Sequence, residues 1–270
     1  MPAIQLARLK KQSAQLSDYF YQPERFVPHL RDMLDFYADH AHRPGQAGEP
    51  PPIIQAYHVP SPVLRQVMKD LTLYISIDPQ AALALSDELW GQPIFECRHL
   101  AASILGSIPA THHEPILERI RNWIASEKED ALIEALLTSG LSRLRKESSG
   151  MYISLAEEWL NNPEQGVQSL GIRALRILTL DPAFDNLPHL FRLLTALVRD
   201  PSPELSQDLV SLLRELAGRS PQETAYFLQQ NLESSVQVNT AWLIRQVLRD
   251  FPLDIQQRLR AELENVRREP

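Results

Sequence analysis

The sequence predicts an all-α protein assembled from short helix pairs, and three observations carry that prediction. Gly is scarce, at 9 of 270 residues, and Leu, Ala, Arg, Glu and Gln dominate over β-branched runs, a composition that favours helix throughout. The 21 Pro residues fall almost entirely between apolar-periodic segments, for example at Pro79, Pro93, Pro115, Pro163, Pro188, Pro221 and Pro252. Because Pro fits the first turn of a helix and breaks an interior, this punctuation marks many short helices and excludes a long coiled coil. From about residue 79 the apolar pattern repeats, with a period of roughly 33–38 residues.

The elements follow in order. Residues 1–42 read as an N-terminal cap of two helices. Ile4 to Phe20 carries Ile4, Leu6, Leu9, Leu16 and Phe20 at helical spacing, and Glu24 to Ala41 carries Phe26, Val27, Leu30, Leu34 and Tyr37. Residues 43–60 are expected to form a flexible linker, since Arg43-Pro44-Gly45 and Pro50-Pro51-Pro52 continue neither helix. The repeat array then spans 61–270. Ser61 is expected to cap its first helix, with Pro62 at the first helical position and Val63, Leu64, Val67, Met68, Leu71, Leu73 and Tyr74 along it.

Beyond that helix, first helices of successive pairs align on Leu89-Trp90, Asn122-Trp123, Glu158-Trp159, Ala196-Leu197 and Asn231-Leu232. Each is followed by a break and a second helix: Phe95 to Leu105, Ala131 to Leu144, Val167 to Leu178, Leu205 to Leu216 and Val236 to Leu248. A pair of this length cannot bury its apolar stripe alone, so neighbours stack around one core. The predicted fold class is thus a right-handed α-α superhelix, a HEAT-like repeat solenoid, with an irregular helical bundle as the alternative. Trp90, Trp123 and Trp159 read as core anchors at the ends of first helices.

The formal charge of −7 argues against indiscriminate binding to nucleic acid or acidic membrane, though a local basic face is compatible with it. The lone Cys97 cannot form an intramolecular disulfide and no secretory leader follows Met1, so the cytoplasm is the expected compartment. No apolar run approaches the roughly 20 residues that a membrane-spanning helix needs.

Charge divides between the two sets of helices. First helices are acidic, through residues such as Asp87, Glu88, Glu118, Glu157 and Glu223, whereas second helices lean basic through Arg98, Arg143, Arg173, Arg176, Arg214, Arg245 and Arg249. Solenoids bind along an extended surface that second helices normally line, so Arg98, Arg173, Arg176 and Arg245 are expected on the inside of the curve, facing phosphate oxygens. The competing reading places these cations at helix C-termini or in pairs across repeats. His112-His113-Glu114 lacks the spacing of a zinc helix, and it reads as solvated chain, as do His40 and His42. Cys97 reads as a buried structural thiol. There is no phosphate-cradling Gly loop, no Gly-x-Ser-x-Gly elbow and no paired Cys motif, and neither a cofactor nor a metal is expected.

Pro62-Val63-Leu64-Arg65-Gln66-Val67-Met68-Lys69, followed by Leu89-Trp90 and then Glu96-Cys97-Arg98-His99-Leu100-Ala101, resembles the bacterial DNA alkylation repair family of HEAT-like repeat proteins. The resemblance is distinct over residues 60–106 and architectural from there to about 250. It implies a glycosylase that removes cationic N-alkylated purines from duplex DNA held in a basic concavity, without extruding the base. It also implies a catalytic cluster of Trp side chains and an Asp, on a helix that falls here at Glu127 to Leu137. That stretch contains no Trp, Glu134 stands where the Asp would be, and the basic residue expected on the next second helix falls near Ser169 instead of on Arg173. The expected function is therefore a binding solenoid, a catalytically diverged relative whose basic face takes duplex DNA. An active N-alkylpurine glycosylase working through Glu134 and a protein–protein adaptor are the alternatives.

Overall fold

A computed structural model describes residues 5–39, 53–233 and 238–266. Its helices divide into two compact units, Met1–Ser149 and Gly150–Pro270. The protein is an all-α helical repeat; among the described residues the one β feature is an isolated bridge between Gln55 and Ile94.

Unit 1 contains α1 (Leu6–Ser17), α2 (Pro23–Tyr37), α3 (Ser61–Ile77), α4 (Pro79–Trp90), α5 (Phe95–Leu105), α6 (His113–Ser126), α7 (Asp130–Ala135) and α8 (Ser142–Glu147). Alternate helices pack together. α1, α3, α5 and α7 form one layer, and α2 packs on α4 in the other. α1 and α2 thus lie against the helices that open the repeat array. Leu9, Leu16, Phe26, Leu30 and Leu34 on these two helices are buried.

Local chemistry explains the boundaries. Asp78 caps α4 by accepting from the Ala81 N–H at 3.0 Å, with Pro79 at the first helical position. The start of α3 differs from expectation. Ser61 is already helical, Pro60 holds the cap position, and the Ser61 hydroxyl accepts from Arg65 at 3.0 Å instead of capping. Pro60 serves because its carbonyl receives the Val63 N–H at 2.9 Å.

The first Trp anchors meet directly. Trp90 ends α4, Trp123 lies in the last turns of α6, and their rings stack with centroids 4.5 Å apart and planes 4° from parallel. Both are buried, so the stack joins successive first helices with about 0.5–1.5 kcal/mol beyond area burial. The Arg119 guanidinium adds a two-pronged bond to Asp87 at 2.6 and 2.8 Å.

The second helix of this pair is not the continuous Ala131 to Leu144 expected from periodicity. A π-helical turn at Leu136–Gly140 separates α7 from α8. Gly140 at its end faces the Ile120 side chain, where an added Cβ would lie 3.1 Å from Cδ1. The break lets the chain fold closely over the end of α5.

Residues 53–60, the described end of the expected linker, bond into unit 1. The Ile53 N–H donates to Glu129 at 2.7 Å, the Phe95 N–H to the Gln55 carbonyl at 2.8 Å, and the Tyr57 N–H to both oxygens of Glu96 at 3.0 and 3.1 Å. The remainder of the linker, with His40 and His42, lies outside the described residues.

Unit 2 contains α9 (Ser149–Leu160), α10 (Gln165–Thr179), α11 (Leu187–Arg199), α12 (Ser206–Arg219), α13 (Pro221–Glu233), α14 (Val238–Val247) and α15 (Leu253–Val266). It repeats the alternation: α10, α12 and α14 pack in series, as do α11, α13 and α15. Trp159 is buried near the end of α9. α10 crosses α9 closely at Gly171, where a Cβ would fall 2.7 Å from Leu160 Cγ, and the Tyr152 hydroxyl donates to the Ala174 carbonyl at 2.9 Å. No described helix is long and apolar enough to cross a membrane.

Candidate nucleic-acid interface

The residues singled out from sequence fall in both units. Arg98 and Glu134 lie in unit 1, and Arg173, Arg176 and Arg245 lie in unit 2.

Arg98 on α5 is committed to the fold. Its Nε donates to the Trp90 and Gln92 carbonyls, both at 3.1 Å, and its Nη1 meets Glu127 Oε2 at 2.8 Å. The guanidinium also lies 5.5 Å from the Trp90 ring centroid. Glu127 is only 3% exposed, and its second oxygen accepts the Lys128 and Glu129 N–H groups. Arg98 thus closes the C-terminal end of α4 and neutralises a buried carboxylate beneath the stacked indoles. This pairing across repeats is the alternative that the sequence left open.

Glu134 sits half-buried on α7, immediately before the π turn, and its carbonyl accepts the Thr138 hydroxyl at 2.7 Å. α7 itself consists of Asp-Ala-Leu-Ile-Glu-Ala and carries no aromatic residue. The nearest unit 1 tryptophans by sequence are the two locked in their own stack.

Unit 2 brings the other three arginines into one layer. Arg173 and Arg176 occupy the least buried central positions of α10, flanked by buried Ile172, Ala174, Leu175 and Ile177. On α14, buried Leu243, Ile244 and Val247 set the inner face, which leaves Trp242, Arg245 and Gln246 outward, and Arg249 is exposed on the 3-10 turn that follows. α12 between them presents Gln207, Arg214 and Gly218, with Arg214 reaching Asp250 at 3.3 Å. Neither Arg245 nor Arg249 has an ion pair among the described residues.

Trp242 is the residue that sequence reading missed. It is 41% exposed, whereas Trp90, Trp123 and Trp159 are at most 8% exposed. Its signal was helical phase: it precedes Arg245 and Gln246 by three and four positions, and so shares their polar face of α14. An exposed indole one helical turn from the Arg245 position offers a ring face for stacking beside a cation for phosphate.

Other groups have structural settings. Burial pushes the Cys97 thiol up to about 12, with Arg31 opposing the rise. At pH 8 the native thiol is therefore protonated and shielded. Labelling by a disulfide reagent is expected to run at least about a hundredfold slower than in denaturant; comparable rates would show Cys97 open to solvent. His113 bonds back to the Ala110 carbonyl at 3.3 Å, and His112 to the Thr111 hydroxyl at 3.1 Å. Among the described residues no three metal-capable side chains converge.

A family model described as DNA alkylation repair enzyme matches residues 52–250. The match begins before α3 and ends within the last turn after α14, leaving α1 and α2 outside it. No curated protein matches the sequence.

Proposed function

The chain belongs to the DNA alkylation repair enzyme family, and from that premise we propose that it binds duplex DNA as a catalytically diverged member, through the outward face of α10, α12 and α14. One observation carries the reading: the fourth tryptophan stands open on the face of α14 that carries Arg245, while the other three are buried. Guanidinium groups suit phosphate oxygens in bidentate contact, and a solvent-facing indole gains most by covering a sugar or base. The helix pairs are read as HEAT-like repeats and the working compartment as the cytoplasm. With a net charge of −7, attraction to DNA depends on a local cationic face of this kind.

Fluorescence anisotropy of a labelled duplex across a salt series tests the interface. The slope of log affinity against log salt is expected to fall by about two when Arg245 and Arg249 are both replaced by Ala, because each lost phosphate contact releases about one counterion fewer. Trp242→Ala is expected to weaken binding by about 1–3 kcal/mol with the slope unchanged, since stacking is not ionic. An unaltered slope in the double variant moves the contact elsewhere, and silence at low salt favours the protein-adaptor alternative.

The α7 helix that carries Glu134 has none of the Trp residues that the family resemblance implies. Release of methylated purine from alkylated duplex is therefore expected to stay at background for both the wild type and Glu134→Gln. Release that falls in the variant would restore the glycosylase reading, because an amide cannot stabilise a cationic sugar as a carboxylate does.

A further inference from the structure

A second candidate site lies in unit 1. α3, α5 and the segment around His58 and Val59 enclose a cavity of about 450 Å³, within the roughly 300–1,000 Å³ of small-molecule sites. α5 contributes Glu96, His99 and Ser103, which lie on one helix face at spacings of three and four.

Each of these three side chains presents an acceptor. Glu96 is 3% exposed, its bonds come from the Tyr57 N–H, and it has no ion pair among the described residues. A carboxylate removed from water without a cation is costly, and buried charges are ordinarily paired. Arg31 on α2 is half-buried, and it donates to Gln92 at 2.6 Å. His99 Nδ1 is buried with no hydrogen-bond partner. Burial holds that imidazole below its usual pKa, against the pull of Glu96, so the ring is neutral at pH 7 and can offer a lone pair. The Ser103 hydroxyl donates to the His99 carbonyl at 2.9 Å and keeps its own lone pairs.

Much of the remaining wall is apolar. Leu64 and Met68 of α3 face the cavity, with the Phe95 ring beside His99 at a centroid separation of 6.2 Å. His58 at the edge has φ of 52°, the one positive value for a non-glycine residue among those described. Such strain is retained where surroundings over-determine it, often at ligand clamps. Arg65 lines the outer part of the cavity, exposed and bonded to Ser61.

A primary ammonium has three donors and no acceptor, the complement of this wall. We propose that the cavity binds a small organic cation, a primary ammonium on an apolar stem, with Glu96 as counter-ion and His99 Nδ1 and Ser103 Oγ as the other acceptors. Arg65 disfavours a second positive charge, so the ligand carries one cationic end. A free alkylamine and a lysine side chain offered by a partner share this chemistry.

Isothermal titration of the full chain with isopentylammonium, with Nα-acetyl-lysine methylamide and with isopentanol tests the site. At least one amine is expected to bind saturably, with isopentanol about tenfold weaker or more, because it lacks the charge. The amine that binds tells a free ligand from a presented lysine. Glu96→Gln should weaken that amine about tenfold, and His99→Phe several-fold. His99→Phe should leave thermal stability unchanged or higher, since it removes an orphaned buried nitrogen. The proposal is overturned if neither amine binds, if isopentanol matches the amines, or if folded Glu96→Gln binds as the wild type does. Should Glu96→Gln fail to fold, the isopentanol comparison and His99→Phe decide.

Discussion

Gly106→Ala is expected to destabilise the protein by about 3 kcal/mol, an unusually large effect for one methyl group. An ideal Cβ at residue 106 would sit 1.7 Å from the Ser139 carbonyl oxygen and 2.7 Å from its carbon. Both are backbone atoms of the π turn, so no side chain can swing aside. Gly106 ends α5, and its own carbonyl receives the Ser142 hydroxyl at 2.9 Å and the Arg143 N–H at 3.2 Å. The added methyl would therefore separate α5 from α8 and break these bonds together. Gly91→Ala is the control: its Cβ would meet the nearest backbone oxygens at 3.5 and 3.6 Å, an ordinary contact. Chemical denaturation should show a lowered midpoint for the first variant and little change for the second. Equal midpoints would mean that the close approach at Ser139 is absent in solution.

Arg98→Ala should destabilise by a similar amount, about 3 kcal/mol, by leaving Glu127 buried without its cation. Two carbonyls, those of Trp90 and Gln92, lose a donor in the same change. Because the guanidinium is about one-fifth exposed, the full penalty of an isolated buried charge does not apply. Glu127→Gln in the Arg98→Ala background is expected to recover part of the loss, since an amide needs no counter-charge. The salt dependence of DNA binding should stay as in the wild type. A flattened slope with unchanged stability would return Arg98 to the interface and contradict its internal role.

These two residues show where sequence was informative and where it was not. α5 runs from Phe95 to Leu105 as periodicity predicted, because its boundaries are set locally by a preceding Pro93 and a following Gly106. The Trp90 and Trp123 anchors were legible for the same reason, as large apolar groups at corresponding positions of a repeat. The π turn was not, since Leu136 and Leu137 continue a helical pattern and the turn packs on neighbours distant in sequence, Ser139 against Gly106 and Gly140 against Ile120. Arg98 read as a surface cation because its partner, Glu127, stands 29 residues away. Trp242 stands outside the pattern of tryptophans that end first helices, although its spacing to Arg245 was legible. The acceptor wall of Glu96, His99 and Ser103 was visible only as spacing; that it faces a cavity depends on where α3 packs.

The unequal burial of the four indoles also makes the molecule its own optical probe. Two rings in parallel contact and a third in the interior should be shielded from acrylamide, leaving Trp242 as the quencher-accessible emitter. Its red-shifted light would dim or brighten as the α14 surface is covered, so occupancy there can be followed without a dye, and separately from events in the other unit.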